Sequence, residues 1–121
     1  YGTLSHCWGT TQMLRTTSAT LPGRYAGIPW TKLPLTFRRA VDTTRRLGFR
    51  YLWIDSLCIV QDSVDDWNGE SSRVSNIYRD AVVCISALDA KGSSEGLYRP
   101  RNGLLHRPCK IWDRIPISLR S

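Results

Sequence analysis

Residues 51–59 form the most strand-like stretch of the chain, and they constrain the fold more than any other segment. This run, Tyr-Leu-Trp-Ile-Asp-Ser-Leu-Cys-Ile, is almost continuously apolar. A strand with one solvated face alternates apolar and polar residues, whereas a central strand of a parallel sheet is buried on both faces and does not alternate. We therefore predict that residues 51–59 form a central parallel strand.

Helix and strand patterns alternate on both sides of this segment. Further strands are predicted at 1–5 and 81–87, and helices at 36–47 and 66–80. Gly48 follows the first helix as a C-terminal cap, and Ser63 with Asp66 resembles a capping box before the second. This order is typical of the α/β class, so we predict a small open, mostly parallel sheet flanked by helices.

The remaining segments are less regular. Residues 10–35 are rich in Thr, Pro and Gly and are predicted to be a long loop that is functional or covers the core. Residues 103–121 are predicted to be the start of a C-terminal extension, with a weak strand near 111–119. By length, residues 1–121 form a single domain. Because the chain begins inside a predicted strand without an initiator Met, we expect a fragment of a larger protein.

The chain carries 17 Lys and Arg against 10 Asp and Glu, a net charge of +7. Clustered arginines neutralise nucleic-acid phosphates, but here the arginines are spread along the chain. We therefore do not expect nucleic-acid binding, and we assign the arginines to a solvated face or to contact with another part of the protein.

The composition also bears on the compartment. No apolar run approaches the roughly 20 residues needed to cross a bilayer, and no leader precedes the first strand, so no membrane association is expected. The four cysteines are widely spaced and are predicted to be reduced thiols that pack as small apolar groups. We expect a cytoplasmic protein.

Ligands of open α/β sheets bind beyond the carboxyl ends of the strands. The predicted strand ends carry Ser5, His6, Cys7 and Trp8, then Asp55, then Ser86 and Asp89. His6 is either a site group or a structural histidine, and Asp55 either faces the cleft or orients a loop. Adjacent strand residues point to opposite faces, which disfavours a Cys7 nucleophile with His6 as its base.

The sequence gives little support for a metal site, a phosphate-binding loop or an aromatic ligand platform. The His and Cys spacing lacks a C-x-x-C motif, so no metal site is predicted. The chain also lacks the glycine-rich motifs of phosphate-binding loops. Trp53 and Trp67 are assigned to the core rather than to a ligand platform.

Glu70 is unusual because it lies on the apolar face of the second predicted helix, which carries Trp67, Val74, Ile77, Tyr78 and Ala81. A carboxylate on a buried face is destabilising unless it is paired or opens onto a cleft, and this position indicates a site. Alternatively, Glu70 is an acid of the first helical turn, favoured by the helix dipole, or an ion-pair partner of Arg73. The residues alone leave both interpretations open.

Several motifs together resemble the heterokaryon incompatibility (HET) domain of filamentous fungi. They are Leu-Ser-His-Cys-Trp-Gly at 4–9, Tyr-Leu-Trp-Ile-Asp-Ser-Leu-Cys-Ile-Val-Gln-Asp-Ser at 51–63, Asp-Trp-Asn-Gly-Glu-Ser at 66–71, Ile-Tyr-Arg-Asp-Ala at 77–81 and Gly-Leu-Tyr-Arg-Pro-Arg at 96–101. Members of this family are typically large cytoplasmic proteins in which the domain triggers programmed cell death when genetically different hyphae fuse. The resemblance spans residues 1–102 and implies that they form the core of the domain. It also implies a death-effector domain of fungal non-self recognition.

The HET family in turn resembles Toll/interleukin-1 receptor (TIR) domains, which have a flavodoxin-like sheet and in some cases cleave NAD through a glutamate. This resemblance implies an NAD glycohydrolase in which Glu70 is the catalytic group and Ser5, His6, Trp8 and Asp55 bind the substrate. NAD would be the substrate, so no separate cofactor is implied.

The implied partners are the chain itself or other incompatibility or NLR-type proteins. The alternative function is a non-enzymatic signalling module that self-associates to recruit partners. In that case the exposed arginines and the 10–35 loop would form the interface.

Overall fold

The computed structural model describes residues 1–9, 13–87, 91, 94 and 96–98. Its sheet has three strands, β1 (Gly2–His6), β2 (Leu52–Ile54) and β3 (Val83–Ala87), in the order β2-β1-β3. Both pairings are parallel, and Leu4 of β1 lies opposite Ile54 of β2 and Ile85 of β3. The predicted α/β fold with a small open parallel sheet is confirmed.

Five α-helices accompany the sheet in the described part of the chain. They are α1 (Leu21–Ala26), α2 (Leu35–Arg46), α3 (Asp55–Cys58), α4 (Val64–Ser71) and α5 (Val74–Asp80), with a 3-10 turn at Trp30–Lys32. On one face of the sheet, Phe37 of α2 packs in a buried cluster with Ile54. On the other face, Tyr78 of α5 meets Trp53 edge to face, with ring centroids 5.6 Å apart. Adjacent strand residues point to opposite faces, so α2 and α5 cover the two sides of the sheet.

Helix α2 confirms the helix predicted at 36–47, and its C-terminal cap has a defined geometry. Gly48 has a φ of 84°, and its N–H donates to the carbonyl of Arg45 while the N–H of Phe49 donates to that of Thr44. These two bonds form a Schellman motif, which requires a residue that adopts positive φ. Leu47, the residue between α2 and Gly48, is 51% exposed although it is apolar.

The strand predicted at 51–59 is wrong in length and in position. Only Leu52–Ile54 pair with β1, and the next four residues form helix α3. The carboxylate of Asp55 accepts the N–H of Ser56 at 2.7 Å, which stabilises the start of this helical turn. The apolar run continues through Ile59 because that side chain is buried too, and a short apolar run does not distinguish strand from helix. The central strand is β1.

The helix predicted at 66–80 is divided into α4 and α5. At the division the hydroxyl of Ser72 donates to the carbonyl of Gly69 at 2.8 Å, and that of Ser71 donates to Asn68 at 3.3 Å. Such side-chain bonds compete with the helical ladder. At the beginning of α4, Ser63 accepts the N–H of Asp66 as predicted, but the Asp66 carboxylate accepts from Val60, so the capping box is not reciprocal.

The 10–35 segment, predicted to be a long loop, contains helix α1 and the 3-10 turn. Its described part is held against the chain that follows β2. Thr16 donates its N–H to Ser56 and its hydroxyl to Leu57, and its carbonyl accepts from Gln61. Met13 and Thr16 are buried, so this segment covers the core, one of the two roles predicted for it. The weak strand predicted at 111–119 lies outside the described residues.

Candidate functional site

A cleft opens beside the carboxyl end of β2, between the sheet and helices α4 and α5. Its volume is about 300 Å³, and it is lined by Trp53, Asp55, Ile59, Trp67, Ser71, Val74 and Tyr78. We call it the inner cleft. Its walls are mainly aromatic and aliphatic, and Asp55 is its one charged lining residue among those that the structure describes. The position agrees with the rule that ligands of parallel sheets bind at the carboxyl ends of the strands.

Asp55 is held in place from several directions. One carboxylate oxygen accepts the N–H of Ser56 at 2.7 Å, and the other accepts the indole N–H of Trp8 at 3.1 Å. The carbonyl of Asp55 also accepts the side-chain amide of Gln61 at 3.1 Å. Two of the predicted site residues, Trp8 and Asp55, are therefore in direct contact although 47 positions separate them.

Tyr78 is a lining residue that the sequence analysis did not assign to the site. Its hydroxyl donates to the carbonyl of Leu4 at 3.2 Å, which ties α5 to the central strand. Burial raises the pKa of the Tyr78 phenol, and the negative charge of Asp55 raises it further. The phenol therefore stays protonated at neutral pH and remains a hydrogen-bond donor.

Trp53 and Trp67, which were assigned to the core, line the inner cleft and are not part of the buried cluster. Trp67 is exposed, and Trp53 is half-buried. The sequence pattern does not indicate a place in a cleft, because aromatic residues at helical or strand spacing fit a core equally well.

His6 lies at the end of β1 on the α2 side of the sheet. Its ring meets Phe37 edge to face at 5.1 Å, and its Nε2 is 3.1 Å from the sulfur of Met13. A thioether sulfur has no proton to donate, so the contact assigns the proton to Nε2. Nδ1 is buried without a hydrogen-bond partner among the described residues. His6 does not line the inner cleft, although the charge of Asp55 acts on it.

Stability is expected to decrease as the pH falls below the ordinary histidine pKa of 6.5. Burial lowers the pKa of His6 in the folded protein, and the Asp55 carboxylate only partly opposes this effect. As the pH falls, the unfolded chain therefore takes up a proton on this histidine before the folded protein does. The contribution of neutral His6 to stability is complete above pH 6.5 and is lost as the pH falls towards the lower pKa of the folded state.

Urea denaturation at a series of pH values should show this decrease. A His6→Asn variant should show a flatter dependence in the same interval. An unchanged slope in His6→Asn would contradict the assignment.

Ser5 is half-buried in β1, opposite Ser86 of β3. It is on the side of the strand away from His6, and it does not line the inner cleft. Of the four predicted substrate-binding residues, Asp55 alone lines the inner cleft; Trp8 contacts Asp55 from outside the lining, and Ser5 and His6 also lie outside it.

Glu70 is not buried as its position on an apolar helix face suggested. No residue of α4 is buried, and the Glu70 side chain is 26% exposed and lies 3.4 Å from the guanidinium of Arg73, itself 69% exposed. The premise of a buried carboxylate is therefore wrong, and the alternative ion pair with Arg73 is present.

Glu70 is nevertheless a neighbour, within α4, of two residues that line the inner cleft. It does not line the cleft, but Trp67 and Ser71 on the same helix do. Partial burial raises the pKa of the Cys58 thiol, and the charges of Asp55 and Glu70 both raise it further. The two carboxylates therefore act on the same point at the end of α3.

A second cavity adjoins the first, and we call it the outer cavity. Its volume is about 420 Å³, and it is lined by Trp8, Gln61, Asp62, Ser63, Val64 and Trp67. Trp67 thus forms a wall of both cavities. Asp62 accepts the N–H and the hydroxyl of Ser18 at 2.7 and 3.0 Å, and these bonds lower the pKa of its carboxyl.

The described residues show no group of three His, Cys, Asp or Glu side chains placed to hold a metal ion. Cys7, Cys58 and Cys84 are free thiols. Within the described part of the chain, no helix has the length and apolar character that crossing a membrane requires.

Comparison with known proteins gives one match. A family model described as heterokaryon incompatibility protein (HET) matches residues 1–115, which takes in every described element and extends past the predicted core limit at residue 102. No curated protein and no solved structure matches the chain significantly.

Proposed function

Because the chain belongs to the heterokaryon incompatibility (HET) family, we propose that it is a death-effector domain that triggers programmed cell death in the cytoplasm. We propose further that it acts by hydrolysing the bond between nicotinamide and ribose in NAD. Its partners would be further copies of the chain or other incompatibility proteins.

The observation that carries the enzymatic proposal is the fixed carboxylate of Asp55 in a cleft with aromatic walls. The nicotinamide ring of NAD is a flat cation, and aromatic faces together with a carboxylate attract such a ring. A cleft of about 300 Å³ is at the lower limit for ligand pockets, so it suits the nicotinamide–ribose end rather than the whole dinucleotide.

The proposed reaction breaks the bond between the pyridinium nitrogen and C1′ of the ribose. The bonding electron pair leaves with nicotinamide, which becomes neutral, and the sugar develops oxocarbenium character. Water then adds to C1′ and releases a proton, so the products are nicotinamide, ADP-ribose and H⁺. A carboxylate near the anomeric carbon lowers the energy of the cationic transition state.

In this proposal Glu70, on the same helix as two lining residues, is the catalytic carboxylate of the inner cleft, and Asp55 binds the ribosyl end of the substrate. Trp8 holds Asp55 through its indole N–H. Ser5 and His6 do not contact the substrate in this proposal. They fix the end of β1, and the chain leads from there to Trp8.

Purified protein incubated with NAD is expected to release free nicotinamide. A Val74→Trp variant places a large side chain in the inner cleft and should reduce the release by at least about tenfold, because it competes with the substrate for space. The matched control is Val82→Trp, since Val82 is exposed and does not line the cleft. This control should cleave NAD like the wild type.

Two outcomes would decide against NAD cleavage at this place. Equal cleavage by both tryptophan variants would place the reaction outside the inner cleft. Cell killing without any release of nicotinamide would favour the non-enzymatic signalling module.

A further inference from the structure

Charge is unevenly distributed along the described part of the chain. Residues 13–50 carry eight basic side chains and one acidic one, whereas residues 51–87 carry six acidic side chains and two basic ones. Those two, Arg73 and Arg79, are the ones paired with carboxylates, Glu70 and Asp80. The basic side chains of 13–50 have no described carboxylate within ion-pair distance.

The fold places one basic group at the amino end of the sheet. Helix α2 returns antiparallel to the strands after β1, so its C-terminal end lies at the opposite edge from the inner cleft. We call the surface there the basic end: Arg45, Arg46, Leu47, Arg50 and Tyr51. All five side chains are exposed, and Arg45 stacks over the ring of Trp30 at 5.5 Å.

The helix dipole explains only part of this surface. Cations are favoured in the last turn of a helix, which accounts for Arg45 and Arg46. It does not account for Arg50, which lies beyond the helix, or for the exposed apolar side chains of Leu47 and Tyr51. Arginines mixed with exposed aromatic and aliphatic side chains are typical of protein interfaces.

The outer cavity is complementary to the basic end and lies at the carboxyl edge of the sheet. Its walls include the exposed indoles of Trp8 and Trp67, and Asp62 supplies a carboxylate. Val64, which lines the cavity, and the adjacent Asp65 are exposed at the start of α4. A site with aromatic faces beside a carboxylate suits an arginine, because the flat guanidinium can stack on the rings and form an ion pair with the carboxylate at the same time.

We propose that the basic end of one copy docks into the outer cavity of a second copy, so that copies of the chain associate head to tail. The two surfaces differ and lie at opposite edges of the sheet, so each copy keeps one free surface of each kind. Such a heterologous contact produces an open chain of subunits unless the rotation closes a ring. This assembly goes beyond NAD cleavage and does not depend on it.

The first measurement is the mass of the 121-residue chain by light scattering as concentration rises. At about 0.05 M salt the mass should increase with concentration, and at about 0.5 M salt the increase should be much weaker because charge pairs are screened. A constant monomer mass at low salt would overturn the proposal.

Two double variants test the surfaces. Arg46→Ser with Arg50→Ser removes the basic end, and Val64→Ser with Asp65→Ser removes the edge of the outer cavity. Each variant alone should stay monomeric at concentrations at least about tenfold above those at which the wild type assembles. The matched control is Arg73→Ser with Arg79→Ser, which removes the same charge from two exposed arginines that are already paired. The control should assemble like the wild type, and all three should melt near the wild-type temperature.

Mixing the two double variants distinguishes head-to-tail from symmetric association. The mixture keeps one intact basic end and one intact outer cavity, so it should form one-to-one heterodimers and nothing larger. Absence of heterodimers, or loss of assembly in the control, would contradict the proposal. Wild-type protein that binds duplex DNA through the basic end, and does not assemble without it, would assign that surface to nucleic acid instead. Nicotinamide release is measured separately, so a failure of assembly and a failure of catalysis are distinguishable.

Discussion

Replacing Glu70 by glutamine is expected to reduce NAD cleavage by roughly 100- to 1,000-fold, the usual effect of removing one preorganised electrostatic group. The substitution keeps the size of the side chain and removes its charge. Thermal unfolding should change little, because the ion pair with Arg73 is exposed and such pairs contribute at most about 1 kcal/mol. The expected result is therefore a folded protein with very low turnover.

Arg73→Gln is the matched control, because it breaks the same ion pair and leaves the carboxylate in place. It should retain cleavage within a few-fold of the wild type. If Glu70 contributed only by its ion pair with Arg73, Glu70→Gln and Arg73→Gln would lose activity equally. Full activity of Glu70→Gln would remove it from the mechanism.

Asp55→Asn separates the two carboxylates. Asp55 lines the inner cleft, so its loss should mainly raise KM for NAD, whereas loss of Glu70 should mainly lower kcat. A drop in kcat confined to Asp55→Asn would transfer the catalytic role to the residue inside the cleft. Circular dichroism should accompany this variant, since Asp55 also accepts the N–H of Ser56 at the start of α3.

Phe37→Ala is expected to lower the free energy of unfolding by about 3–5 kcal/mol, the range for removing a fully buried phenylalanine. The Phe37 side chain is 0% exposed and packs in the buried cluster with Leu4 and Ile54. It also supports the ring of His6, so the substitution leaves a void on the α2 side of the sheet. A domain of this size is stabilised by about 5–15 kcal/mol, so the loss is a large fraction of the total.

Tyr25→Ala is the control, since it also removes an aromatic side chain, but one that is 83% exposed. It should change the free energy of unfolding by no more than about 0.5 kcal/mol. Urea denaturation measures both. Similar losses in the two variants would contradict the core position of Phe37.

The sequence predicted the elements whose periodicity is unambiguous. Helix α2 has twelve residues with an apolar face and a glycine cap, and β3 is a short apolar strand between polar segments. The run at 51–59 was predicted as one strand because an apolar segment of that length fits either a buried strand or a strand followed by a helical turn. The choice depends on the pairing with β1, which ends at Ile54.

The candidate site was predicted in part for a similar reason. The strand-end rule placed Trp8 and Asp55 at one edge, and the structure joins them by a hydrogen bond. The same rule also selected His6, which is the last residue of β1 but faces α2. Periodicity placed Tyr78 on the same helix face as Trp67 and Val74, but it was missed as a site residue because an apolar face lines a core and a cleft equally well.

Trp67 is a wall of both cavities, so an occupant of one cavity that fixes its indole also fixes part of the surface of the other. Anything in the outer cavity that restricts Trp67, or Trp8 with its bond to Asp55, also restricts the surface that meets a ligand in the inner cleft. Linkage is reciprocal: the factor by which one occupant changes the affinity for the other is the same in both directions. A neighbouring subunit and a small ligand would then act as mutual effectors through one indole ring.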